Sequence, residues 1–315
     1  MVYGIIVEGL LFGIMALGVF ITFRVLNFAD MTVDGSFPLG SAVMIVLLIA
    51  GVNPFLGILA AFCAGAFAGA ITALIHSKLK IPGLLAGILT MTMLYSINLR
   101  ILANRANVSL LRVSTLFKDI GDAASGFGFP SEYGILVFLL LAVALILVLI
   151  NLFFHTDFGI SLGALGANPQ MITSMGMNPE AVKMIGICLA NGLVGIAGAL
   201  SCMYYGFADV NSGTGTAVAG LASIMIGEFL LRSNRIGALT FRVILGSIMY
   251  RAIMVAGRQY GYLINLTAND LKLITGVLIV GCLLVSKYGK GRLTLFSPAG
   301  FPYKIGRKEN RHDSH

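Results

Sequence analysis

Long apolar runs separated by short polar stretches dominate the chain. A helix needs about 20 apolar residues to cross a bilayer, and fewer where the helix is broken. On that measure the sequence predicts nine spans, near residues 3–23, 37–51, 54–75, 82–99, 133–154, 181–205, 217–231, 237–256 and 271–287. The first run is long enough to span the membrane, so we expect a first helix there and not a cleaved signal peptide. The second and seventh runs are short, which is typical of half-helices or re-entrant segments.

The composition agrees with this pattern. Hydrophobic residues make up 58% of the 315 positions and charged residues 11%, and the mean hydropathy is +0.95. A soluble domain carries about 25% charged residues, so the chain is predicted to be an all-α polytopic membrane protein. The net charge of +8 does not indicate a nucleic-acid partner, because the basic residues flank apolar runs. The cysteines lie within apolar runs and the histidines are scattered, so we expect no metal site.

Lysine and arginine residues are divided unevenly between the two sides of the predicted spans. If the tail after Lys287 is cytoplasmic, most of the other basic residues fall on the same side, among them Arg24, Lys183 and Arg235. The positive-inside rule then places the C-terminus in the cytoplasm. An odd number of spans would place the N-terminus outside. We therefore expect a membrane domain over residues 1–298 and a basic cytoplasmic tail over residues 299–315.

The most unusual segment lies between the first two runs, from Arg24 to Gly40. Five polar side chains fall close together there: Asn27, Asp30, Thr32, Asp34 and Ser36. An ionisable group at membrane depth is costly and is usually retained for function. Gly35, Pro38 and Gly40 allow the backbone to leave a regular helix, which is tolerated only where protein or a water-filled cavity covers it. We predict that the five side chains line a translocation pathway; a short solvated loop with an aspartate helix cap is the alternative.

Part of this segment recurs in the second half of the chain. Phe28-Ala-Asp30 reappears as Phe207-Ala-Asp209, and each copy lies between a long apolar run and a short one. About five spans separate the copies, and an odd number inverts their orientation. Inverted repeats with interrupted helices that meet near the midplane are typical of transporters. The pattern therefore predicts an inverted internal repeat and adds Asp209 and Asn211 to the predicted pathway.

The connection between the fifth and sixth spans, residues 155–180, carries helix start and stop signals. Asn168-Pro169 starts a short helix, Gly176 ends it, and Asn178-Pro179 begins the next span. Met171 and Met175 are four residues apart and share one helix face, and Ile172 is expected to be exposed beside them. Two interpretations remain open: an ordinary cytoplasmic loop, or a docking segment that fits a groove on a soluble partner.

Charged side chains inside the predicted spans need partners. Glu228 precedes Arg232 by four residues, a helical spacing at which the two form an ion pair. The alternative is that Glu228 helps to gate the inner end of the pathway. Arg242 and Arg251 are nine residues apart on one helix, so their directions differ by about 180° and they cannot both face one pathway. A neighbouring helix could supply an acid for Arg251.

Several of these motifs resemble one protein family. Arg24-Val-Leu-Asn-Phe-Ala-Asp with Thr32-Val-Asp-Gly-Ser36 is similar to the signature of permease subunits of ATP-driven importers of the branched-chain amino-acid and ribose class. Gly166-Ala-Asn-Pro169 through Met175-Gly-Met-Asn178 resembles the coupling loop that such permeases present to the ATPase. Three further segments are similar to the tryptophan/tyrosine-type subgroup: Ser223–Glu228, Leu245–Arg251 and Asn269–Ile274. The resemblance covers about residues 5–290.

The resemblance implies a fold, partners and residue roles. The fold would be that of a type II ABC importer permease, with about 8 to 10 spans and an inverted repeat. The chain would act as a permease homodimer in the cell membrane, with two copies of a cytoplasmic ATP-binding subunit and an extracytoplasmic substrate-binding protein. It would bind no cofactor itself, and its solute would be an aromatic or other amino acid. The residues implied in ATPase coupling are Gly166, Asn168, Pro169, Met171, Met175, Gly176 and Asn178.

Three functions compete on the sequence. Broken helices and buried carboxylates suit an importer permease, but they would also suit a secondary transporter or channel that works without an ATPase. No Gly-x-x-x-x-Gly-Lys-Ser/Thr sequence is present, so any ATP chemistry is expected on another chain. No Ser/His/Asp or His/Glu grouping falls at membrane depth, so the chain is not expected to be an enzyme.

Overall fold

The described part of the chain is mostly helical. The computed structural model describes residues 2–110, 115–126, 128, 130–231, 236–260, 273, 275–277 and 279–281. In chain order, these residues form α1 (Val2–Val19), a π-helix (Phe20–Val25), α2 (Val33–Ile49), α3 (Pro54–Leu79), α4 (Gly83–Ile101), β1 (Asn107–Ser109), α5 (Leu116–Gly126), α6 (Ser131–His155), α7 (Asp157–Ala167), α8 (Pro169–Ser174), α9 (Pro179–Tyr205), β2 (Phe207–Asp209), a 3₁₀ turn (Val210–Gly213), α10 (Thr216–Leu230) and α11 (Ile236–Tyr260).

The predicted spans agree with the observed helices. The first eight fall on α1, α2, α3, α4, α6, α9, α10 and α11. Seven segments within the described residues are long and apolar enough to cross a membrane, and α2 is a shorter apolar helix. The ninth predicted span, 271–287, lies mostly outside the described residues, and so does the tail 299–315. The all-α polytopic fold class is confirmed.

Glycine residues bring α2 and α3 close to α9, which is buried along most of its length. A side chain at Gly195 would collide with the carbonyl of Ala61 on α3, and one at Gly198 with the carbonyl of Phe37 on α2. The Ser41 hydroxyl donates to the Gly198 carbonyl at 2.8 Å. Small residues at membrane helix interfaces allow such close backbone approach. The three helices therefore form one closely packed unit.

The two strands form a short ribbon that the sequence did not predict. Asn107 pairs with Asp209 and Ser109 with Phe207 in antiparallel register, and the Leu110 amide donates to the Gly206 carbonyl at 2.8 Å. The strands follow α4 and α9, and their unpaired backbone groups satisfy one another. We call the end of the bundle that carries β1 and β2 the ribbon end, and the end that carries α7 and α8 the loop end.

The helices that follow the two Phe-Ala-Asp triplets run in opposite directions. Ser36 contacts Asn191 and Ser41 contacts Gly198, so α2 runs parallel to α9. Gly18 packs on Ala190 and Gly186 packs on Leu26, so α1 is antiparallel to α9. Gly220 packs on Val19 and Glu228 pairs with Arg24, so α10 runs parallel to α1 and therefore opposite to α2. This arrangement agrees with an inverted repeat, which remains a prediction.

The connector between α4 and α6 contains an amphipathic helix, α5. Leu116 and Phe117 are buried, whereas Lys118 and Asp119 are exposed. The Phe117 ring packs edge-to-face against Phe138 and Tyr204, with centroids 5.8 and 6.1 Å apart. The connector is thus held against α6 and α9 by its apolar face.

Candidate functional site

A break in helical structure separates α1 from α2. The last turns of the first span widen into the π-helix, and residues 27–31 form no regular structure. Asn27 has a φ of +52°, a left-handed conformation that asparagine adopts more readily than most residues. The predicted departure from helix is present, but Gly35, Pro38 and Gly40 lie within α2 and not in the break. Gly35 and Gly40 instead allow close contact with Met91 and Gly195.

Asp30 lies in this break and is 0% exposed. One carboxylate oxygen accepts from the Thr32 amide at 2.8 Å, and the other accepts from the Asn191 side-chain amide at 2.7 Å. Asn191 in turn accepts from the Ser36 hydroxyl at 2.7 Å, and the Thr32 and Thr72 hydroxyls are 2.7 Å apart. Each carboxylate oxygen therefore has a partner, as a buried polar group requires.

This polar network joins α2, α3 and α9 at the break. The segment is not the solvated loop of the alternative interpretation, because Asp30, Thr32 and Ser36 are all buried. Asp30 accepts from the Thr32 amide two residues away, but α2 begins at Val33 without a side-chain cap, so Asp30 does not cap that helix. Asn27 is exposed and lies at the loop-end side of the network.

Asp34 caps a different helix, α10. Its carboxylate oxygens accept from the Gly215 amide at 2.8 Å, the Ala217 amide at 2.7 Å and the Thr216 hydroxyl at 2.9 Å. A carboxylate is favourable at a helix N-terminus because the first amide groups lack partners within the helix. The predicted pathway residue Asp34 thus connects the two helices that follow the repeated triplets.

Asp209 and Asn211 lie in a second break, between α9 and α10. The Asp209 side chain accepts from the Asn211 amide at 2.8 Å and so caps the 3₁₀ turn. Gly213, at the end of that turn, packs against the Asp34 carbonyl and Pro38. The structure therefore brings the second break to Asp34 and the start of α2, while Asp30, Thr32 and Ser36 interact with α3 and α9.

Three cavities lined by described residues lie around the second break at the ribbon end. The first, of about 190 Å³, includes Asp34 and Thr214. The second, of about 130 Å³, includes Asp209 and Ser212. The third, of about 430 Å³, extends between α1, α10 and α11 and includes Arg251. Asp34 and Asp209 therefore face open space, whereas Asp30, Thr32 and Ser36 are enclosed by protein in this conformation.

The predicted coupling loop folds as two short helices at the loop end. The Asn168 side chain accepts from the Gln170 amide at 3.0 Å and starts α8, which ends before Gly176, at a φ of +77°. The Asn178 side chain accepts from the Glu180 amide at 2.9 Å and starts α9. These start and stop signals are confirmed. The predicted signals did not include the start of the preceding helix, α7. The Thr156 hydroxyl caps that helix by accepting from the Gly159 amide at 3.2 Å.

The surface of α8 is apolar on one side. Met171 is 54% exposed and Met175 is 58% exposed. The expected exposure of Ile172 is wrong: its side chain is 0% exposed, because it joins the core and holds α8 against the bundle. Gly166 is at the end of α7 and contacts the Val25 carbonyl of the π-helix so closely that a side chain there would collide. The loop therefore packs directly against the C-terminal end of the π-helix.

Glu228 lies in a buried ion-pair cluster. Its Oε1 atom is 2.9 Å from Arg24 Nε on the π-helix and 2.9 Å from Arg242 Nη2 on α11. Arg232, its predicted partner, lies outside the described residues. The neighbouring acid considered for Arg251 is found: Glu8 on α1 lies 3.5 Å from its Nη1 atom.

Sequence reasoning missed Asn191, Thr72 and Glu8, which partner the predicted polar residues. An available signal was the position of Asn191 and Glu8 within otherwise apolar runs, where a polar side chain needs a specific partner. Thr72 gave no such signal, because threonine commonly bonds its own helix backbone, as Thr72 also does with the Ala68 carbonyl at 3.2 Å.

Comparisons with known proteins agree with this architecture. The profile of the family described as branched-chain amino acid transport system, permease component, matches residues 1–285. The chain is 37% identical over 282 residues to a tyrosine transport system permease protein of Clostridioides difficile (strain R20291), covering 90% of each. It is 25% identical over 220 residues to the ribose import permease protein RbsC of Escherichia coli (strain K12), covering 69% of this chain and 67% of that protein.

A shorter stretch is similar to the nucleoside ABC transporter permease protein NupC of Lactococcus lactis subsp. cremoris (strain MG1363). The two are 28% identical over 120 residues, which cover 38% of this chain and 36% of that protein. No solved structure matches the chain. The family profile extends over both breaks, the loop and all the described helices. The chain therefore belongs to the family of permease components of branched-chain amino acid transport systems.

Proposed function

We propose that the chain forms the membrane pathway of an ATP-driven importer for an aromatic or other small amphipathic amino acid. Its family makes it the permease component of an ABC transporter for small solutes, a multi-pass inner-membrane protein that associates with ATPase and binding-protein partners. A secondary transporter or channel without an ATPase is therefore not retained. The C. difficile relative named for tyrosine covers 90% of the chain, which favours an amino acid over ribose or a nucleoside.

The observation that carries the proposal is the exposed methionine surface of α8. Met171 on α8 and Met175 at its C-terminal cap are more than half exposed, whereas Ile172 anchors the helix to the bundle. A helix with a fixed base and an apolar outer face suits a groove on a partner protein. Gly166 contacts Val25 at the start of the break, so movement of the loop would be transmitted to the pathway. We therefore assign ATPase coupling to Gly166, Asn168, Pro169, Met171, Met175, Gly176 and Asn178.

The assembly follows from this assignment. The loop end faces the cytoplasm, where one ATP-binding subunit docks on each of two permease copies, and the C-terminus lies on the same side. The ribbon end faces the extracytoplasmic binding protein. The chain needs no cofactor of its own, because the partner subunit hydrolyses ATP. The breaks between α1 and α2 and between α9 and α10 border the solute pathway.

Replacing the two methionines tests the coupling surface. Met171→Asp with Met175→Asp places two charges on the docking face, and truncation of a central interface anchor commonly costs about 2 kcal/mol or more. We expect at least a tenfold weaker association with the ATPase subunit and loss of ATP-driven uptake, measured by copurification and by transport in proteoliposomes. The matched control, Met171→Leu with Met175→Leu, keeps an apolar surface and is expected to retain both. Parental copurification and uptake by the aspartate variant would contradict the assignment.

An uptake competition tests the solute. Labelled tyrosine is offered to cells that contain the complete transporter, with unlabelled phenylalanine, isoleucine or ribose in excess. We expect phenylalanine to compete most strongly. Competition by ribose alone, or uptake of labelled tyrosine that does not depend on the transporter, would overturn the assignment of an amino-acid solute.

A further inference from the structure

The largest of the three cavities at the ribbon end is lined by an arginine and by aromatic rings, Arg251, Phe12 and Tyr250, to which the proposed function assigns no role. We infer that the cavity between α1, α10 and α11 binds the transported solute through a carboxylate at Arg251 and a flat apolar body beside Phe12 and Tyr250. This inference rests on the proposed function, because it assigns a chemical class to the solute of that pathway.

The size and position of the cavity suit a small solute. Its volume is about 430 Å³, within the range of about 300–1,000 Å³ that is typical of small-molecule pockets. Ser212, Thr214 and Thr216 line it on the side of the second break. It shares Phe12 and Ser212 with the cavity that includes Asp209, and Thr214 with the cavity that includes Asp34. The site is thus adjacent to the two predicted pathway residues that face open space.

Within the part of the chain that the structure describes, Arg251 has hydrogen-bonding capacity that is not used. Its guanidinium lies 3.4 Å from the centroid of the Phe12 ring, so one face is covered. Its Nη1 atom is 3.5 Å from Glu8 Oε2, a long contact, and its Nε atom is buried without a hydrogen-bond partner among the described residues. A guanidinium has five N–H donors in a planar fork. A carboxylate fits such a fork with two parallel hydrogen bonds.

Aromatic rings provide the apolar part of the site. Phe12 stacks on Phe37, with ring centroids 5.5 Å apart, so its orientation is fixed by α2. Tyr250 and Met254 form the α11 side of the cavity. The Tyr250 hydroxyl is 3.1 Å from the Thr275 hydroxyl, which orients the tyrosine ring. Flat aromatic bodies pack favourably against such rings, and the hydroxyls of the second break can bond the remaining polar groups of the solute.

The test compares two ligands that differ in the carboxylate. The complete transporter is placed in lipid nanodiscs without its binding protein, and equilibrium binding of L-tyrosine and of tyramine is measured. We expect Arg251→Met to weaken tyrosine binding about tenfold or more and to leave tyramine binding unchanged, because only tyrosine offers the carboxylate. The control Arg258→Met removes an exposed guanidinium from the same helix and is expected to change neither affinity.

Folding is followed by gel filtration and thermal melting. If Arg251→Met does not fold, the same binding measurement is made on Arg251→Lys, which keeps the charge but lacks the planar pair of donors. We expect this variant to lower the ratio of tyrosine affinity to tyramine affinity. An unchanged ratio in a folded variant overturns the inference, and so does a wild-type complex that does not bind tyrosine at millimolar concentration. Uptake assays test the proposed function separately: a transporter that imports only ribose refutes that function and also the claim that the bound carboxylate belongs to the transported solute. An unchanged affinity ratio in a transporter that does import tyrosine refutes the site alone.

Discussion

At the scale of single residues, Asp30 shows how a carboxyl group is accommodated inside a bundle of apolar helices. It is completely buried, and each of its carboxylate oxygens accepts from a specific donor, the Thr32 amide and the Asn191 side chain. Neither donor is charged, so among the described residues the carboxylate is held by hydrogen bonds and not by a salt bridge. Because Asn191 also bonds Ser36, a change at Asp30 affects α2 and α9 together. Its role in transport remains a prediction that substitution can test.

We predict that Asp30→Leu abolishes uptake while the protein still inserts into the membrane and assembles. Insertion depends on the apolar runs, which are unchanged. The substitution removes the acceptor of the Thr32 amide and of one N–H of the Asn191 side chain, which still donates to the Ile187 carbonyl; each unsatisfied group costs about 1–3 kcal/mol. Uptake in proteoliposomes and the amount of assembled complex are the measurements. Asp30→Asn, which keeps one acceptor, should retain more activity.

Asp119→Leu is the control for this experiment, because Asp119 is an exposed acid on the connector helix α5. It should transport at the parental rate. If Asp30→Leu also transports at that rate, the break is only a structural connection between α1 and α2.

At the scale of elements, the contact between α7 and the π-helix couples the loop to the break. Gly166 packs directly on the Val25 carbonyl, and the buried Leu162 contacts Gly186 on α9. A π-helical segment is frequently found at functional sites, since its wider turn is easily altered. A movement of α7 would therefore displace the π-helix at the start of the first break, and a change in the π-helix would displace α7.

We predict that Gly166→Ala displaces α7 from the π-helix, because the added methyl group would overlap the Val25 carbonyl. Overpacking of this kind commonly costs about 1–3 kcal/mol. The expected result is a lower melting temperature of the permease and a loss of transport-stimulated ATP hydrolysis, measured on the reconstituted complex. Gly126→Ala is the matched control, since a methyl group at Gly126 has no neighbour within 4 Å. Parental values for both variants would show that the contact is dispensable.

At the scale of the whole molecule, Glu228 holds three elements together. Arg24 on the π-helix and Arg242 on α11 both contact its carboxylate on α10, at 2.9 Å. The pairs are buried, so solvent does not screen them as it screens a surface pair. The cluster lies toward the loop end, whereas Asp34 joins α2 to the start of α10. α10 is thus held at its two ends by the elements on either side of the first break, the π-helix and α2.

We predict that Glu228→Gln destabilises the permease strongly, because breaking one partner of a buried pair costs about 3–5 kcal/mol and leaves the arginines without a counter-charge. The melting temperature of the purified protein should fall. The double variant Glu228→Gln with Arg242→Met removes one of those unpaired charges and should recover part of the loss. Additive effects of the two substitutions in this double-mutant cycle would contradict a direct interaction.

Much of the fold follows from local patterns in the sequence. The lengths of the apolar runs located eight spans, because membrane insertion depends on the hydropathy of about 20 consecutive residues. The caps at Asn168 and Asn178 and the stop at Gly176 were also predicted, because a capping side chain bonds amides only two or three residues away. The departure from helix after α1 was expected from the cluster of polar residues around Asp30.

Local sequence patterns thus predict the class of the protein, eight of the nine proposed spans and the positions of the two breaks, since each depends on neighbouring residues. The groups that satisfy the buried charges could not be identified from such patterns and are known from the packing of the helices. Asp30 depends on Asn191, Asp34 on the start of α10, and Arg251 on Glu8, and each pair is separated by more than 150 positions. No local spacing rule relates such residues. Their meeting follows from the close packing of α1, α2 and α3 against α9, α10 and α11, which glycines such as Gly195 and Gly198 allow.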